Sequence, residues 1–380
     1  MKLTVERDAL ADAVNSAAKA LPNRPSVPVL AGVKLATTED GVTVSSFDYE
    51  VSTEMHVRGT VADPGSVLVS GRLLAEITKA VPAKPISLAT AGTHLELVCG
   101  SARFTLPTMP VEDYPALPDM PAPAGTVDAA AFATAVAQVA VAAGRDETLP
   151  MMTGVRIELS GNTLAMLATD RYRLAVREMQ WNPDNPEVNI NALMPARTLH
   201  DTAKALGPLG GHVTIALSQG AAGEGMIGFA RDTRRTTSRL LDGANYPPVR
   251  SLFPADAPMS AVAPVAQLLE VVKRVALVAE RTTPVLLTFT PGDDTLTVEA
   301  GGTEEARASE AMEANFTGDA PLTIGFNPQY LIDGLANLGT SHAHFAFVDA
   351  FKPAVITPAD AEGQQTPGYR YLIMPIRVSR

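Results

Sequence analysis

Residues 70–81 read SGRLLAEITKAV, and two later stretches have the same pattern: PARTLHDTAKAL at 195–206 and NPQYLIDGLANL at 327–338. The spacing of the apolar residues predicts an amphipathic helix for each stretch. A helix that recurs three times at long intervals indicates three copies of one structural unit.

The elements around this helix recur as well. An Ala- and Val-rich helix is predicted before it in each copy, ending at an arginine, over 8–24, 130–145 and 265–281 (Arg24, Arg145 and Arg281). A strand-like run follows each of these helices, as VPVLAGVKLAT at 27–37, LPMMTGVRIEL at 149–159 and TPVLLTFT at 283–290. The first two copies both close on a Tyr-Pro turn, at Tyr114-Pro115 and Tyr246-Pro247. The pattern predicts three similar α+β domains, each with two helices against antiparallel sheets.

The repeat period of about 120 to 135 residues is an ordinary domain size. Pro- and Ala-rich stretches at 115–125 and 253–264 are typical of linkers. We therefore expect domains at 1–120, 126–252 and 254–380.

Composition favours a folded protein of the cytoplasm. The 380 residues are 46% hydrophobic and 19% charged, which is enough apolar material to bury sizeable cores. Cys99 is the single cysteine, so neither an intrachain disulfide nor a thiolate metal cluster is expected. No apolar run approaches the roughly 18 to 20 residues of a membrane span, and no secretory extension is apparent.

Positive charge recurs on the repeated helix although the chain has a formal net charge of −11. Arg72 and Lys79 are seven residues apart on one predicted face, and Arg197 and Lys204 repeat this spacing. The third copy has neither cation at these positions, but its first helix carries Lys273 and Arg274. Each pair alone is explained by a solvated helix face. Recurrence favours a shallow basic surface that contacts a phosphate backbone without reading sequence.

Signals for an enzyme are weaker. Residues 223–228 fit GxGxxG, but they lie between two strand-like runs and do not open a helix, so a Gly-rich hairpin is the better interpretation. His342 and His344 are spaced to share one face of a strand, without a third ligand nearby. A metal- or nucleotide-dependent enzyme built on repeated α+β domains, using these residues, remains the alternative hypothesis. A plain interaction hub is a third.

Five phrases carry a resemblance to a known family: MKLTVERDAL at 1–10, NRPSVPVLAGV at 23–33, ATDRYRLAV at 168–176, SRLLDGANYPPV at 238–249 and YLIMPIR at 371–377. Over its full length the chain resembles the bacterial DNA polymerase III sliding clamp, the β subunit. The resemblance implies a non-catalytic processivity factor: a head-to-tail homodimer whose six domains form a ring with helices around duplex DNA. It implies no cofactor and no metal.

The resemblance also assigns residues to the ring. Residues expected to face DNA are Arg24, Arg72, Lys79, Arg145, Arg197, Lys204, Lys273 and Arg274. For the dimer contact, Phe104 and Leu106 on an edge strand of the first domain are expected to meet Leu277 and Val278 of the other subunit.

A second implied function is docking. In this family the polymerase III α subunit, the clamp loader, other polymerases and mismatch-repair proteins insert a short apolar peptide between the second and third domains. By position, the implied binding residues are Met152, Thr169, Arg171, Tyr172, Arg173, Leu174, Pro247, Leu252, Pro353, Leu372, Met374, Pro375 and Ile376. For Leu174 alone, an ordinary core position is the preferred interpretation.

Two features depart from the family pattern. The family often has a small residue and His in a TDGHRLA motif where this chain has Arg171 and Tyr172, so the pocket rim is bulkier. The chain also continues past the usual terminal motif with residues 378–380. In the tail, we expect Tyr371 and Ile373 to pair into a sheet while Leu372, Met374 and Ile376 face the pocket.

Overall fold

A computed structural model describes residues 1–22, 24–218, 225–280, 283–301 and 306–377. The predicted hairpin loop at 223–224, the helix-terminal Arg281 and the extension at 378–380 therefore lie outside the described residues. The strands of the described part are β1 (Lys2–Val5), β2 (Gly32–Thr37), β3 (Gly41–Phe47), β4 (Val51–Asp63), β5 (Ser66–Ser70), β6 (Ile86–Ala91), β7 (His94–Cys99), β8 (Ala102–Met109), β9 (Pro123–Asp128), β10 (Gly154–Ser160), β11 (Thr163–Thr169), β12 (Arg173–Gln180), β13 (Asn182–Pro183), β14 (Asn189–Pro195), β15 (His212–Ser218), β16 (Met226–Arg231), β17 (Arg234–Arg239), β18 (Met259–Pro264), β19 (Val285–Thr290), β20 (Asp293–Gly301), β21 (Arg307–Glu313), β22 (Asn315–Thr317), β23 (Leu322–Phe326), β24 (His342–Phe347), β25 (Ala354–Ala359) and β26 (Tyr369–Ile373). The α-helices are α1 (Arg7–Lys19), α2 (Gly71–Ala80), α3 (Ala129–Ala140), α4 (Ala196–Leu206), α5 (Val265–Val275) and α6 (Pro328–Ala336).

The chain folds into two compact units. The first comprises residues 1–133, 181–186 and 198–240, and the second comprises 134–180, 187–197 and 241–380. The first unit contains one strand network in the order β1-β6-β7-β8-β5-β2-β3-β4-β17-β16-β15-β9-β13. The second contains a nine-stranded sheet, β14-β10-β11-β12-β26-β25-β24-β18-β22, and a four-stranded sheet, β21-β20-β19-β23.

Two strand pairs join segments that the sequence predicts to be separate domains. In the first unit β17 pairs antiparallel with β4, and in the second unit β26 pairs antiparallel with β12. Main-chain hydrogen bonds therefore continue each sheet from one predicted domain into the next. Because of this pairing the chain forms two compact units and not three.

The recurring helices form where the pattern places them. α2, α4 and α6 lie within the predicted stretches at 70–81, 195–206 and 327–338. In α2, Leu74, Ile77 and Thr78 are buried while Arg72 and Lys79 are exposed. α2 packs along α1 over a core that takes alternate residues, and so one face, from each neighbouring strand, such as Val33 and Leu35 of β2.

The first helix of each copy is shorter than predicted. α1 ends at Lys19, before Pro22, and α3 ends at Ala140, so Arg24 and Arg145 lie beyond the helices. Proline and glycine in these segments disfavour a longer helix.

Both predicted linkers also contain regular structure. β9 covers part of 115–125, and β18 covers part of 253–264. β9 pairs with β15, and β18 pairs with β24. These pairings satisfy the main-chain hydrogen-bonding groups of segments whose composition had predicted linkers.

Candidate functional site

A tight turn between β11 and β12 organises the site. One carboxylate oxygen of Asp170 accepts hydrogen bonds from the main-chain N–H groups of Tyr172 and Arg173, both at 3.0 Å. The Thr169 hydroxyl accepts from the Arg171 N–H at 3.1 Å and donates to the Arg173 carbonyl at 2.7 Å. These bonds hold Arg171 at a φ of 77°, a left-handed conformation that favours glycine.

Arg173 is the buried centre of the site. Its guanidinium bonds Asp170 at 3.0 Å and Asp333 at 2.6 Å, and it lies 4.3 Å from the centre of the Tyr330 ring. Burial lowers the pKa of Arg173, but the phenol of Tyr371 and the Asp333 carboxylate outweigh burial and raise it. Arg173 is therefore a fixed charge that joins the turn to α6.

An open cavity of about 340 Å³ adjoins this centre within the second unit. It is lined by Ala143, Gly144, Arg145, Asp146, Leu149, Met152, Asp170, Arg171, Tyr172, Arg173, Gln329, Tyr330 and Asp333. Four of the residues predicted to bind peptide are among them: Met152, Arg171, Tyr172 and Arg173. Arg145, predicted to face DNA, also lines this cavity.

The α6 wall of the cavity was missed by sequence reasoning. Tyr330 lies alongside Tyr172 with ring centres 6.5 Å apart, and Gln329 donates to Asp333 at 2.7 Å. The spacing of Gln329 and Asp333 places them on one helix face, but no local pattern indicates that this face meets the β11–β12 turn.

A glycine lets α6 approach the sheet closely. A Cβ atom on Gly334 would lie 2.5 Å from the Tyr371 ring, so any side chain there would displace the helix. The Tyr371 hydroxyl donates to the Tyr330 carbonyl at 2.9 Å. Burial raises the pKa of Tyr371 well above its usual range, so the hydroxyl remains a donor at neutral pH.

Two predicted wall residues lie in an interior cluster. Leu174 and Leu372 are buried together with Val176, Tyr246 and Val249. Leu174 is 1% exposed, in agreement with the preferred core interpretation, and Leu372 is 2% exposed. A part for Leu372 in peptide binding stays a prediction.

Residues on the surface beside the cluster have varied exposure. Leu252 is 54% exposed and Met374 is 38% exposed. Thr169 is buried, whereas Pro247, Pro353, Pro375 and Ile376 are half-buried. None of these seven lines the cavity described above.

The tail reaches the site through its backbone. β26 ends at Ile373, and the Met374 N–H then donates to the Tyr172 carbonyl at 2.8 Å. Pro375 has no N–H, and the Ile376 N–H donates to Gly325 at 2.8 Å. The expected strand alternation through Ile376 is therefore wrong beyond Ile373.

The first unit contains a repeat of the same turn. Asp48 accepts from the N–H groups of Glu50 and Val51 at 3.0 and 2.7 Å, and Tyr49 has a φ of 75°. The Arg239 N–H donates to the Glu50 carbonyl at 2.8 Å, as Met374 does to Tyr172. The register places the hydrogen-bonded pair Ser52 and Thr237 where the second unit has Leu174 and Leu372. The first unit thus has a polar pair at the place where the second unit has a pair of leucines.

The cations predicted to face DNA lie on exposed side chains. Arg24, Arg72, Lys79, Arg197 and Lys204 are exposed, and Arg72 donates to the Pro22 carbonyl at 3.0 Å. Lys273 and Arg274 on α5 are exposed as well, where Lys273 pairs with Glu270 at 3.3 Å and Arg274 pairs with Glu310 at 2.6 Å. Carboxylates therefore offset the positive charge of the α5 pair.

Of the predicted dimer residues, Leu277 is 83% exposed and Val278 and Phe104 are half-buried. Leu106 is 1% exposed and packs in the core of the first unit. The expectation of a side-chain contact from Leu106 is therefore wrong, because alternate residues of β8 face opposite sides and Leu106 faces inward.

The described residues contain no group of three or more His, Cys, Asp or Glu side chains that could hold a metal ion. They therefore give no support to the metal site of the alternative enzyme hypothesis. The burial pattern of β24 places His342 and His344 on one strand face, as expected. Among the described helices, none has the length and apolar character that a membrane crossing requires.

Three family models match consecutive parts of the chain. They are those for the N-terminal, central and C-terminal domains of the DNA polymerase III beta subunit, over residues 1–118, 126–248 and 250–377. The chain therefore belongs to the DNA polymerase III beta subunit family, with three clamp domains of helices and antiparallel sheet.

Relatives agree with this membership. The chain is 52% identical to the beta sliding clamp of Streptomyces coelicolor, with all of both chains covered. A crystal structure of the Bacillus subtilis DNA polymerase sliding clamp matches with a TM-score of 0.87 at 27% identity, over 100% of each chain. A Pseudomonas aeruginosa DnaN sliding clamp bound to griselimycin matches with a TM-score of 0.86 at 26% identity, again over 100% of each chain. The protein is a DNA sliding clamp, a non-catalytic processivity factor, and the enzyme alternative is set aside.

Proposed function

We propose that two copies of this chain close head to tail into a ring of six domains around duplex DNA. Family membership over the full chain is the observation that carries this proposal. Two strand edges support it: residues 102–107 of β8 pair only with β7, and β21 pairs only with β20, among the described strands. Edge pairing between copies, with Leu277 covered, would close the ring. In the proposed ring each copy contributes three domains, with boundaries at 1–120, 126–252 and 254–380.

DNA would pass along the exposed cations of the helices. Arg24, Arg72, Lys79, Arg197 and Lys204 are candidates because their side chains are exposed, and the carboxylates that pair with Lys273 and Arg274 reduce the charge which those two side chains present. Arg145 is a weaker candidate, since it lines the cavity. A ring holds DNA by topology, so phosphate contacts need only be weak and exchangeable.

Partners would dock on the second unit at the surface made by the cavity and the tail. Rings of Tyr172 and Tyr330, the thioether of Met152 and the exposed Met374 offer an adaptable apolar surface beside fixed charges. Such a surface suits short peptides with apolar anchors. We assign to it the polymerase III α subunit, the clamp loader, other polymerases and mismatch-repair proteins, all acting in the cytoplasm.

Primer extension on a long single-stranded template tests whether the polymerase docks at this surface. With clamp loader and polymerase present, the wild-type chain should lengthen the products made in one binding event. The variant Met374→Asp should remove this gain while Met374→Leu keeps most of it, because only the former places a charge in the apolar surface. Equal products with both variants would contradict docking at this surface.

A further inference from the structure

The turn between β3 and β4, which repeats the β11–β12 turn in the first unit, presents an aromatic side chain to solvent. Tyr49 is 52% exposed although its φ of 75° is one that favours glycine. Its ring centre lies 5.5 Å from that of the half-buried Phe47. The backbone conformation does not require a tyrosine, and the exposed ring is available for contact with another molecule.

The exposed ring adjoins a partly open apolar cluster. Its buried centre consists of Val29, Leu68 and Tyr114. Half-buried side chains pack against this centre, namely those of Phe47, Met109, Val111 and Leu117. We call these four side chains, together with that of Tyr49, the β3–β4 surface. All of its residues belong to the first unit.

Carboxylates surround the β3–β4 surface. Asp48 and Glu50 flank the exposed tyrosine in the turn, and Glu112 and Asp113 directly precede Tyr114. The Tyr114 hydroxyl accepts a hydrogen bond from the Phe47 N–H at 2.7 Å, which brings the two segments together. Burial raises the pKa of Tyr114 to about 12; this hydrogen bond opposes the rise, and the charge of Asp48 adds to it. Carboxylates from both segments therefore lie beside one apolar surface.

Cations near this surface are fewer. Arg239 donates from its Nε to the Tyr49 carbonyl at 3.1 Å and from its main-chain N–H to the Glu50 carbonyl at 2.8 Å. Arg24 precedes Val29 of the cluster by five residues. With both arginines counted, the four carboxylates still leave an excess of negative charge. The cavity of the second unit differs, because three arginines balance its three aspartates.

The backbone of the turn is already ordered for binding. Asp48 accepts from the N–H groups of Glu50 and Val51, and Arg239 holds the carbonyls on the other side. A ligand that contacts the turn therefore has little backbone to order, which favours affinity.

We propose that the β3–β4 surface is a second docking site, which binds partner segments that carry an aromatic or aliphatic anchor flanked by Lys or Arg. The anchor packs on Tyr49 and Phe47, and the flanking cations pair with Glu50 and Glu112. A cation over the Tyr49 ring adds to the attraction. The proposal is independent of docking on the second unit, because the two surfaces share no residue.

Two fluorescein-labelled peptides with the same Phe-Leu anchor test the proposal. One carries two lysines on each side of the anchor and the other carries two glutamines on each side. Their dissociation constants are measured by fluorescence anisotropy with the full-length wild-type protein and four variants. Tyr49→Gly removes the ring at a position whose φ suits glycine, so it is expected to fold, as circular dichroism would verify.

The other three variants locate the binding. Glu50→Gln removes one charge of the β3–β4 surface. Glu39→Gln is its matched control, since Glu39 is also exposed but precedes β3, at the end of the strand opposite the turn. Tyr172→Ala alters the docking surface of the second unit.

The wild type should bind the lysine peptide roughly tenfold more tightly than the glutamine peptide at low salt, because several exposed ion pairs contribute. Tyr49→Gly should weaken binding of the lysine peptide by about tenfold, because the anchor loses its aromatic contact. Glu50→Gln should reduce the preference for lysine by about threefold. Glu39→Gln and Tyr172→Ala should behave as the wild type does.

Each other result overturns the proposal in a recognisable way. If folded Tyr49→Gly binds as the wild type does, the peptide does not bind at the β3–β4 surface. If Glu39→Gln lowers the preference as much as Glu50→Gln, the attraction is to the net charge of the protein. If Tyr172→Ala alone weakens binding, the peptide occupies the second unit's surface, which supports docking there and removes the second site. If the wild type binds neither peptide, the second site is wrong and the docking proposed for the second unit is unaffected.

Discussion

At position 171 the chain carries an arginine in a backbone conformation that ordinarily suits glycine. Its φ of 77° follows from the bonds that Asp170 and Thr169 make to the turn. The repeat-related turn holds Tyr49 at 75°, so two copies of the unit keep the same strained geometry with different side chains. An arginine side chain does not require this conformation, and strained backbone of this kind clusters at functional sites. The turn is therefore a place to look for function.

We predict that Arg171→Gly is more stable than Arg171→Ala by about 1 kcal/mol, because only glycine adopts this φ without strain. Urea unfolding of the two variants measures the difference, and the alanine variant controls for loss of the guanidinium. An alanine variant as stable as the glycine variant would show that the turn relaxes to another backbone conformation.

Two buried tyrosines should make the protein sensitive to alkali. Burial raises the pKa of Tyr246 and of Tyr114 to about 12 from 10.0. Below pH 10 the folded and unfolded states both hold the phenolic proton, and between pH 10 and about 12 the unfolded state alone releases it. Stability should therefore fall as pH rises through this window, by about 2 to 3 kcal/mol for each tyrosine.

The two phenylalanine variants should differ at neutral pH. Tyr114 accepts a hydrogen bond from the Phe47 N–H at 2.7 Å, so Tyr114→Phe should cost about 1 kcal/mol or more. The buried Tyr246 hydroxyl has no hydrogen-bond partner among the described residues, so Tyr246→Phe should be neutral or stabilising. Both should flatten the alkaline decline in urea unfolding from pH 8 to 11.5. An unchanged decline in Tyr246→Phe would contradict the assignment.

At the scale of the element, α6 decides the shape of the cavity. Tyr330 and Asp333 project from it towards Arg173, and Gly334 allows the helix to approach the Tyr371 ring. The contact is specific to this helix, because α2 and α4 carry Ile77 and Thr202 at the corresponding sequence position, counting from the repeated pattern.

We predict that Gly334→Ala displaces α6 and weakens docking of an apolar peptide by tenfold or more. The added Cβ would lie 2.5 Å from the Tyr371 ring, which cannot yield cheaply inside a packed core. Ala336→Ser, at an exposed position of the same helix, is the control and should bind as wild type does. Peptide anisotropy measures both, and unimpaired binding by folded Gly334→Ala would show that the position of α6 does not matter for docking.

Elements of strong periodicity were predictable from the sequence, and their contacts were not. The 3.6-residue pattern places α2, α4 and α6 correctly, since one apolar face is enough to define an amphipathic helix. The stop of β26 at Ile373 depends on a proline, and β9 and β18 form inside Pro-rich segments because partner strands distant in sequence are available. The meeting of Tyr330 with Arg173 links positions 157 residues apart in sequence, which no local pattern encodes.

At the scale of the whole molecule, assembly should depend on Leu277. This side chain is 83% exposed, an unusual position for a large apolar group on a protein that acts alone. In the proposed ring it is covered by the first unit of the other copy.

We predict that Leu277→Asp shifts the protein from dimer to monomer in sedimentation velocity at micromolar concentration. A charge in a desolvated contact costs several kcal/mol, enough to change the dissociation constant by orders of magnitude. Leu252→Asp changes another exposed leucine, one predicted to bind peptide and not to contact the other subunit, and should remain dimeric. A dimeric Leu277→Asp would move the interface elsewhere.

Encirclement of DNA is the central claim, and topology tests it most directly. Protein loaded by a clamp loader onto nicked circular DNA is separated from free protein by gel filtration in high salt, and half of the sample is then linearised with a restriction enzyme. The account predicts that protein stays on the circles and runs off the linear DNA, because a ring is held by topology and weak phosphate contacts do not survive salt. Equal retention on both forms would contradict it.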